Sequence, residues 1–162
     1  MIDARVAGTL EWRSQQQDPP HMPKPTLRPG LRHSETILVT DRLIVPEMAD
    51  YFANFAAMPP VFATAYLVAF VEWTCVRALA DHLLDGEASV GTKVDLSHDA
   101  ATPVGMRASA AIELIAVEGR KLRFKVDCRD ERDAIGAGFH ERFVIDEARF
   151  LAKLEQKRAA RS

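Results

Sequence analysis

Thr64-Ala-Tyr-Leu-Val-Ala-Phe-Val-Glu72-Trp-Thr-Cys-Val-Arg77 is an apolar run interrupted by a single carboxylate, and its reading decides the fold. Glu72 is the only charged residue between Asp50 and Arg77. The run predicts a helix over about residues 65–84, preceded by Pro59-Pro60 and stopped at Asp85-Gly86. Apolar side chains fall on nearly all of its sides, so it is expected to be wrapped by other structure. An ionised carboxylate taken out of water without a partner costs roughly several kcal/mol after relaxation. Glu72 should therefore be paired, protonated or in use.

The sequence downstream supplies a sheet to do the wrapping. Val90, Thr92, Val94, Leu96 and His98 alternate with Lys93, Asp95 and Ser97, the period of two that marks a half-buried strand. Met106, Ala108, Ala110, Ile112 and Leu114 repeat the pattern, with Arg107, Ser109 and Glu113 opposite. A turn at Glu118-Gly119 leads to Leu122, Phe124, Val126 and Cys128, which alternate with Lys121, Arg123, Lys125 and Asp127. Such alternation specifies register strongly. A last strand runs from about Ala134 to Ile145, where Gly136 and Gly138 mark a bulge or the close approach of another backbone. A charged helix over about Glu147 to Lys157 follows.

Upstream, Thr36-Ile-Leu-Val-Thr40 reads as a short strand, followed by the Val45-Pro46 stop and a short helix over about Ala49 to Ala57. Residues 1–30 differ from the rest: Gln15-Gln16-Gln17, Pro19-Pro20, Pro23, Pro25 and Pro29-Gly30 show no apolar periodicity. They are expected to form a flexible Pro-rich N-terminal extension ahead of one domain over residues 31–158. One buried helix followed by a four-stranded meander, with an earlier strand able to join, is an α+β layout. A long central helix held in a curved antiparallel sheet is the hot-dog arrangement.

Composition narrows the function classes. The 162 residues are 48% apolar and 27% charged, ordinary for one soluble domain, and the net charge is −2. No basic stripe interleaved with aromatics is present, so nucleic acid is not an expected partner. Tyr51 to Val71 carries no charge, but Asn54 and Pro59-Pro60 split it and Glu72 closes it, so no membrane span is expected. The N-terminus lacks the order of a secretory leader. Cys75 and Cys128 resemble neither a disulfide framework nor a zinc site, and a cytoplasmic setting is expected.

Val61-Phe-Ala-Thr64, Glu72-Trp73, Gly91-Thr92, Ser97-His98, Ala101-Thr-Pro-Val-Gly105 and His140-Glu-Arg142 stand in an order and spacing that resembles the fluoroacetyl-CoA thioesterase group of hot-dog proteins. The resemblance covers about residues 30–157. It implies a homodimer that hydrolyses an acyl-CoA thioester with no metal and no bound organic cofactor. Position by position, Thr64, Glu72 and His98 match the group's catalytic trio. Gly91 and Arg142 match positions that help to hold the thioester and its developing charge. A member specialised for fluoroacetyl-CoA carries two phenylalanines on a lid, where this chain has Phe55 and Met58. Methionine makes a less defined gate than an aromatic ring. Ala65 also stands where glycine is common in that member, so the expected substrate is a short or medium acyl-CoA.

Each of these residues has a plainer reading beside the functional one. His98, on the apolar side of its strand, is either a core histidine or a general base that titrates near neutral pH. Glu72 either pairs a buried Arg or backbone N–H, or orients His98, activates water or attacks the carbonyl. Thr64 precedes an apolar helix as an ordinary N-cap would. Arg142 in its charged neighbourhood reads as a solvated strand end, or as a guanidinium for a CoA phosphate or a carbonyl oxygen. Gly91 either relieves crowding or lets a backbone N–H approach the substrate. His140 ranks behind His98 as a base, because it neighbours two charges.

Eight residues along a helix rise about 12 Å, too far for Thr64 to bond Glu72 directly. If both belong to one site, either Thr64 lies off the helix axis or the site combines two chains, and a dimer with composite active sites satisfies the spacing economically. Two other classes share the pocket: a non-catalytic acyl-CoA binding protein, and a hot-dog enoyl-CoA hydratase, which would use an Asp/His pair.

Overall fold

The computed structural model describes residues 23–161. Most of the expected N-terminal extension lies outside the described residues. In its last part Leu27 is buried with the core, and Gly30 N–H donates to the Leu114 carbonyl at 2.8 Å.

Five strands form one antiparallel sheet: β1 (Arg32–Leu38), β2 (Glu87–Leu96), β3 (Arg107–Glu118), β4 (Lys121–Asp130) and β5 (Ala134–Asp146). Their spatial order is β1-β3-β4-β5-β2, so β2 stands at one edge and β1 at the other. Helix α1 (Thr64–Leu79) packs against β1, β2 and β3, and helix α2 (Glu147–Ala159) follows β5 directly. Asp146 caps α2, its carboxylate accepting from Arg149 N–H at 2.9 Å. This is the α+β hot-dog arrangement that the pattern predicts.

The alternation in the two central strands decides which side faces the helix. Ala108, Ala110, Ile112 and Leu114 of β3, with Leu122, Phe124, Val126 and Cys128 of β4, are all buried. They meet Leu67, Phe70, Val71, Cys75, Ala78 and Leu79 of α1 in one cluster. Each large apolar side chain so enclosed contributes about 1.5–3 kcal/mol from removal of its surface from water. Thr74 also lies inside, its hydroxyl donating back to the Phe70 carbonyl at 2.8 Å, which satisfies the group within the helix.

Four expectations are corrected. The helix is covered on one side only, because a single sheet layer reaches one side: Trp73 and Val76 are 44% and 45% exposed. It also ends at Leu79, where tight turns such as His82 N–H to the Leu79 carbonyl (2.9 Å) take over before Gly86, at φ 79°, turns into β2. β1 begins at Arg32, not Thr36: its polar residues gain the backbone ladder against β3, and Arg32 pairs with Glu113 across it at 3.2 Å. Residues 41–57 hold three short 3-10 turns, Asp41–Leu43, Val45–Met48 and Ala53–Ala57, and not one helix. Pro46, at the start of the second turn, has no N–H with which to continue a helix.

Gly136 and Gly138 do permit a close backbone approach. A Cβ on Gly136 would overlap the Ser97 carbonyl, and one on Gly138, which has φ 151°, would overlap the Asp95 carbonyl. This lets the chain beyond β2 stay hydrogen-bonded to β5, with Ser97 N–H on the Ala137 carbonyl (2.9 Å) and Asp99 N–H on the Ile135 carbonyl (2.8 Å). Gly136→Ala must push His98 and its neighbours outward, at an expected cost of about 1–3 kcal/mol. Urea unfolding measures it; an unchanged midpoint would count against this tight contact.

Candidate active site

Two polar groups lie along α1, one at its first residue and one at its middle, and they gather the candidate site residues. The first is Thr64 with His98. Thr64 is the first residue of α1, but Ala63 occupies the cap position, so the N-cap reading of Thr64 does not hold. Its hydroxyl instead lies 2.8 Å from His98 Nδ1. His98 is not on a strand, since β2 ends at Leu96; it stands in the following loop, half-buried, with its ring edge toward Phe62 at 6.3 Å between centroids. That loop is tied to the segment entering α1. Phe62 N–H donates to the Thr102 carbonyl at 2.9 Å, and Val61 bridges Pro103. Buried Thr102 in turn donates its hydroxyl to the Asp130 carboxylate at 2.9 Å, fixing the loop to the β4–β5 hairpin.

The second group surrounds Glu72. Its side chain is 41% exposed, so the expected full burial is corrected, and it is not alone. Oε1 lies 3.6 Å from His140 Nε2 and 3.8 Å from Arg142 Nη1. Gly91, across from Arg142 in the β2–β5 ladder, leaves the space that this carboxylate occupies: a Cβ there would overlap Glu72 Oε1. Arg142 is 4% exposed, which overturns the solvated-end reading and realises the plainer reading of Glu72 as partner to a buried arginine. Its Nε donates to Ser89 Oγ at 3.0 Å, Nη2 to the Ser89 carbonyl at 2.8 Å, and Nη1 contacts His140 Nε2 at 3.2 Å.

His140 is fully buried, which the two flanking charges in sequence conceal. Residues 140–145 of β5 are buried on both of its sides, so no alternation betrays the inward ones. The available clue is that His140 and Arg142 are two apart and share a side of the strand. Ser89 and the Lys93 carbonyl, which meets His140 Nδ1 at 2.9 Å, carry no sequence signature. The bulge between Gly91 and Lys93, with Thr92 as the extra residue, interrupts the ladder beside that carbonyl. Phe55 meets Phe52 in a tilted pair with centroids 5.5 Å apart, and Met58 is exposed just ahead of the Val61 and Phe62 bridges. Neither belongs to the two polar groups.

Burial holds the His98 imidazole below its ordinary 6.5, with Asp99 pulling weakly upward. Burial is also the main cause of the depressed His140 value, helped by Arg142 and opposed by the Lys93 carbonyl, Glu72 and Glu141. Burial pushes the Cys75 and Cys128 thiols up to about 12, so neither offers a thiolate nucleophile. The histidine shifts have a defined sign for stability. An unfolded chain takes up protons at 6.5, whereas the native chain resists them until lower pH, so stability is full above 6.5 and falls below it. Urea midpoints are expected to drop between about pH 7 and about pH 5, and to drop less in His140→Gln. A midpoint that stays level in the native chain would contradict the burial of both rings.

On a hot-dog fold, a helix carboxylate beside a buried guanidinium, with a hydroxyl–imidazole pair at the helix start, offers the groups that hydrolysis of an acyl bond can use. Residues 45–148 match the family model for FlK, the fluoroacetyl-CoA-specific thioesterase, and the chain belongs to that family. It is 42% identical over 137 residues to the fluoroacetyl-CoA thioesterase of Streptantibioticus cattleyicolor, across 85% of this chain and 99% of that protein. A solved structure of FlK superposes with a TM-score of 0.79 at 42% identity, covering 81% of this chain and 97% of that one. A Thermus thermophilus hypothetical protein of the thioesterase superfamily shares the fold at 24% identity and a TM-score of 0.75, over 83% and 95% of the two chains.

Proposed function

We propose that this chain hydrolyses a short or medium acyl-CoA thioester to the free acid and CoA. The observation that carries the reading is the 2.8 Å pairing of the Thr64 hydroxyl with His98 Nδ1 in a chain of this family. An imidazole kept unprotonated at neutral pH can accept a proton from an attacking hydroxyl or water and return it to the departing thiolate. The new C–O bond forms as the C–S bond breaks, and CoA leaves as the thiol. Glu72 serves either as the group that activates water or as the nucleophile, giving an acyl anhydride that water then cleaves. Gly91 lines the thioester side of Glu72, while Phe55 and Met58 gate the acyl end.

The working unit in this reading is a homodimer with composite sites. Thr64 and Glu72 lie on one straight helix about 12 Å apart along its axis, so they meet one substrate most economically if each comes from a different chain. Edge strand β2 and the exposed Trp73 and Val76 supply an apolar surface and open backbone groups for a second copy. Among the described residues no helix is long and apolar enough to cross a membrane. Two free, buried thiols suit a reducing, cytoplasmic setting.

A panel of acyl-CoAs from acetyl and fluoroacetyl to octanoyl, with an enoyl-CoA included, assayed for released thiol and for loss of the double bond, tests the reading. Turnover is expected across the short and medium chains, with no strong preference for fluoroacetyl. A hydratase would consume enoyl-CoA while leaving the thioester intact, and a binder would turn nothing over; either result would sink the proposal.

A further inference from the structure

We propose that His140 and Ser89 are positioning residues that lock the Arg142 guanidinium, and that the locked guanidinium fixes where the Glu72 carboxylate sits beside Gly91. The proposal rests on the thioesterase reading only in taking Glu72 as the reacting carboxylate.

The hydrogen-bond partners determine the state of His140. The Lys93 carbonyl can only accept, so Nδ1, at 2.9 Å, carries the ring proton. Arg142 can only donate, so Nε2, at 3.2 Å, presents its lone pair. A histidine with both nitrogens so occupied is neutral and cannot act as the base. Ser89 takes the other side of the fork with its hydroxyl and its carbonyl, at 3.0 and 2.8 Å. All three guanidinium nitrogens thus have partners inside the chain, and a group only 4% exposed is not presented to a CoA phosphate. Among the described residues, its contact toward the carboxylate is Glu72 Oε1 at 3.8 Å. The half-exposed carboxylate, also 3.6 Å from His140 Nε2, sits over Gly91, where no Cβ is present to hold it.

Replacing His140 distinguishes a lock from a filler. His140→Ala is expected to lower kcat on an accepted acyl-CoA about 10- to 100-fold, the scale of a misplaced reacting group, with KM within about threefold. His140→Gln places an acceptor near the old Nε2 position and is expected to recover most of kcat. His140→Asn keeps only the bond to the Lys93 carbonyl and is expected not to, even where it melts at the same temperature. In an Arg142→Ala background, His140→Ala should add little further loss, because it acts through Arg142. Multiplying losses, a rise in KM at constant kcat, or rescue that follows stability across the Asn and Gln variants would overturn the proposal.

A readout independent of turnover is the ¹⁵N spectrum of the His140 ring in the free wild-type protein. The proton is expected on Nδ1, with the ring titrating below the ordinary imidazole value, the direction its burial sets. The groups facing the ring are Arg142 on its own strand, Glu72 on α1, the Lys93 carbonyl on β2 and the apolar Phe124 on β4, while the charge of Glu141 acts on it from the opposite side of β5. Exchange of the Arg142 Nε–H is expected to be slow in wild type and fast in His140→Ala. A proton on Nε2, or a ring that titrates at or above the ordinary imidazole value, would overturn the lock. A wild type that releases no thiol would overturn the thioesterase reading alone, leaving the spectrum to decide the lock.

Discussion

Glu72→Gln is expected to reduce kcat on an accepted acyl-CoA by about 10³-fold or more, the scale seen when a reacting group is removed from its partners. The substitution keeps the shape and replaces an anion with an amide, so it removes a base or nucleophile while leaving Gly91 filled. Arg142 keeps its bonds to Ser89 and His140, which limits the cost to the fold. The side chain is 41% exposed, so little packing is lost. Thiol release under saturating substrate, beside a thermal melt, measures both effects. A folded variant within about tenfold of wild type would remove Glu72 from the chemistry.

The second large effect is a recovery. Thr64→Ala and Glu72→Gln chains, each nearly inactive alone, are expected to regain activity when mixed and allowed to exchange subunits. Random pairing makes about half of the dimers mixed, and each mixed dimer rebuilds one composite site of two, so about one quarter of wild-type activity should return. Against a background about 10³-fold down, that is a rise of about two orders of magnitude. No recovery despite demonstrated exchange would show that Thr64 and Glu72 of the same chain serve one site.

The parts of the fold legible in the sequence are those where one side chain in two, or one in three and four, must leave water. β3 and β4 are such cases, and their buried sets are the ones that alternation predicts. The apolar run around Glu72 gave the helix, but not its bare side, because hydropathy cannot say whether a neighbour is the same chain or another. β5 hid its inward residues by being buried on both sides around His140 and Arg142. Thr64 illustrates a different limit: a hydroxyl ahead of an apolar run reads as a cap, and only the loop after β2 reveals that it faces His98. Ser89 and the Lys93 carbonyl were out of reach, since a serine and a backbone oxygen acquire meaning only from the bulge and the arginine beside them.

The two cysteines have a practical consequence. Both are enclosed in the core, with thiols pushed up to about 12, and they are the only ones in the chain. A disulfide reagent such as dithionitrobenzoate should therefore find no protein sulfur in the native state, and the colour it develops would count liberated CoA directly. The same silence makes the protein its own gauge of opening. Once the core parts, two equivalents of thiol become reactive, and the pace of their labelling reports how often it does so.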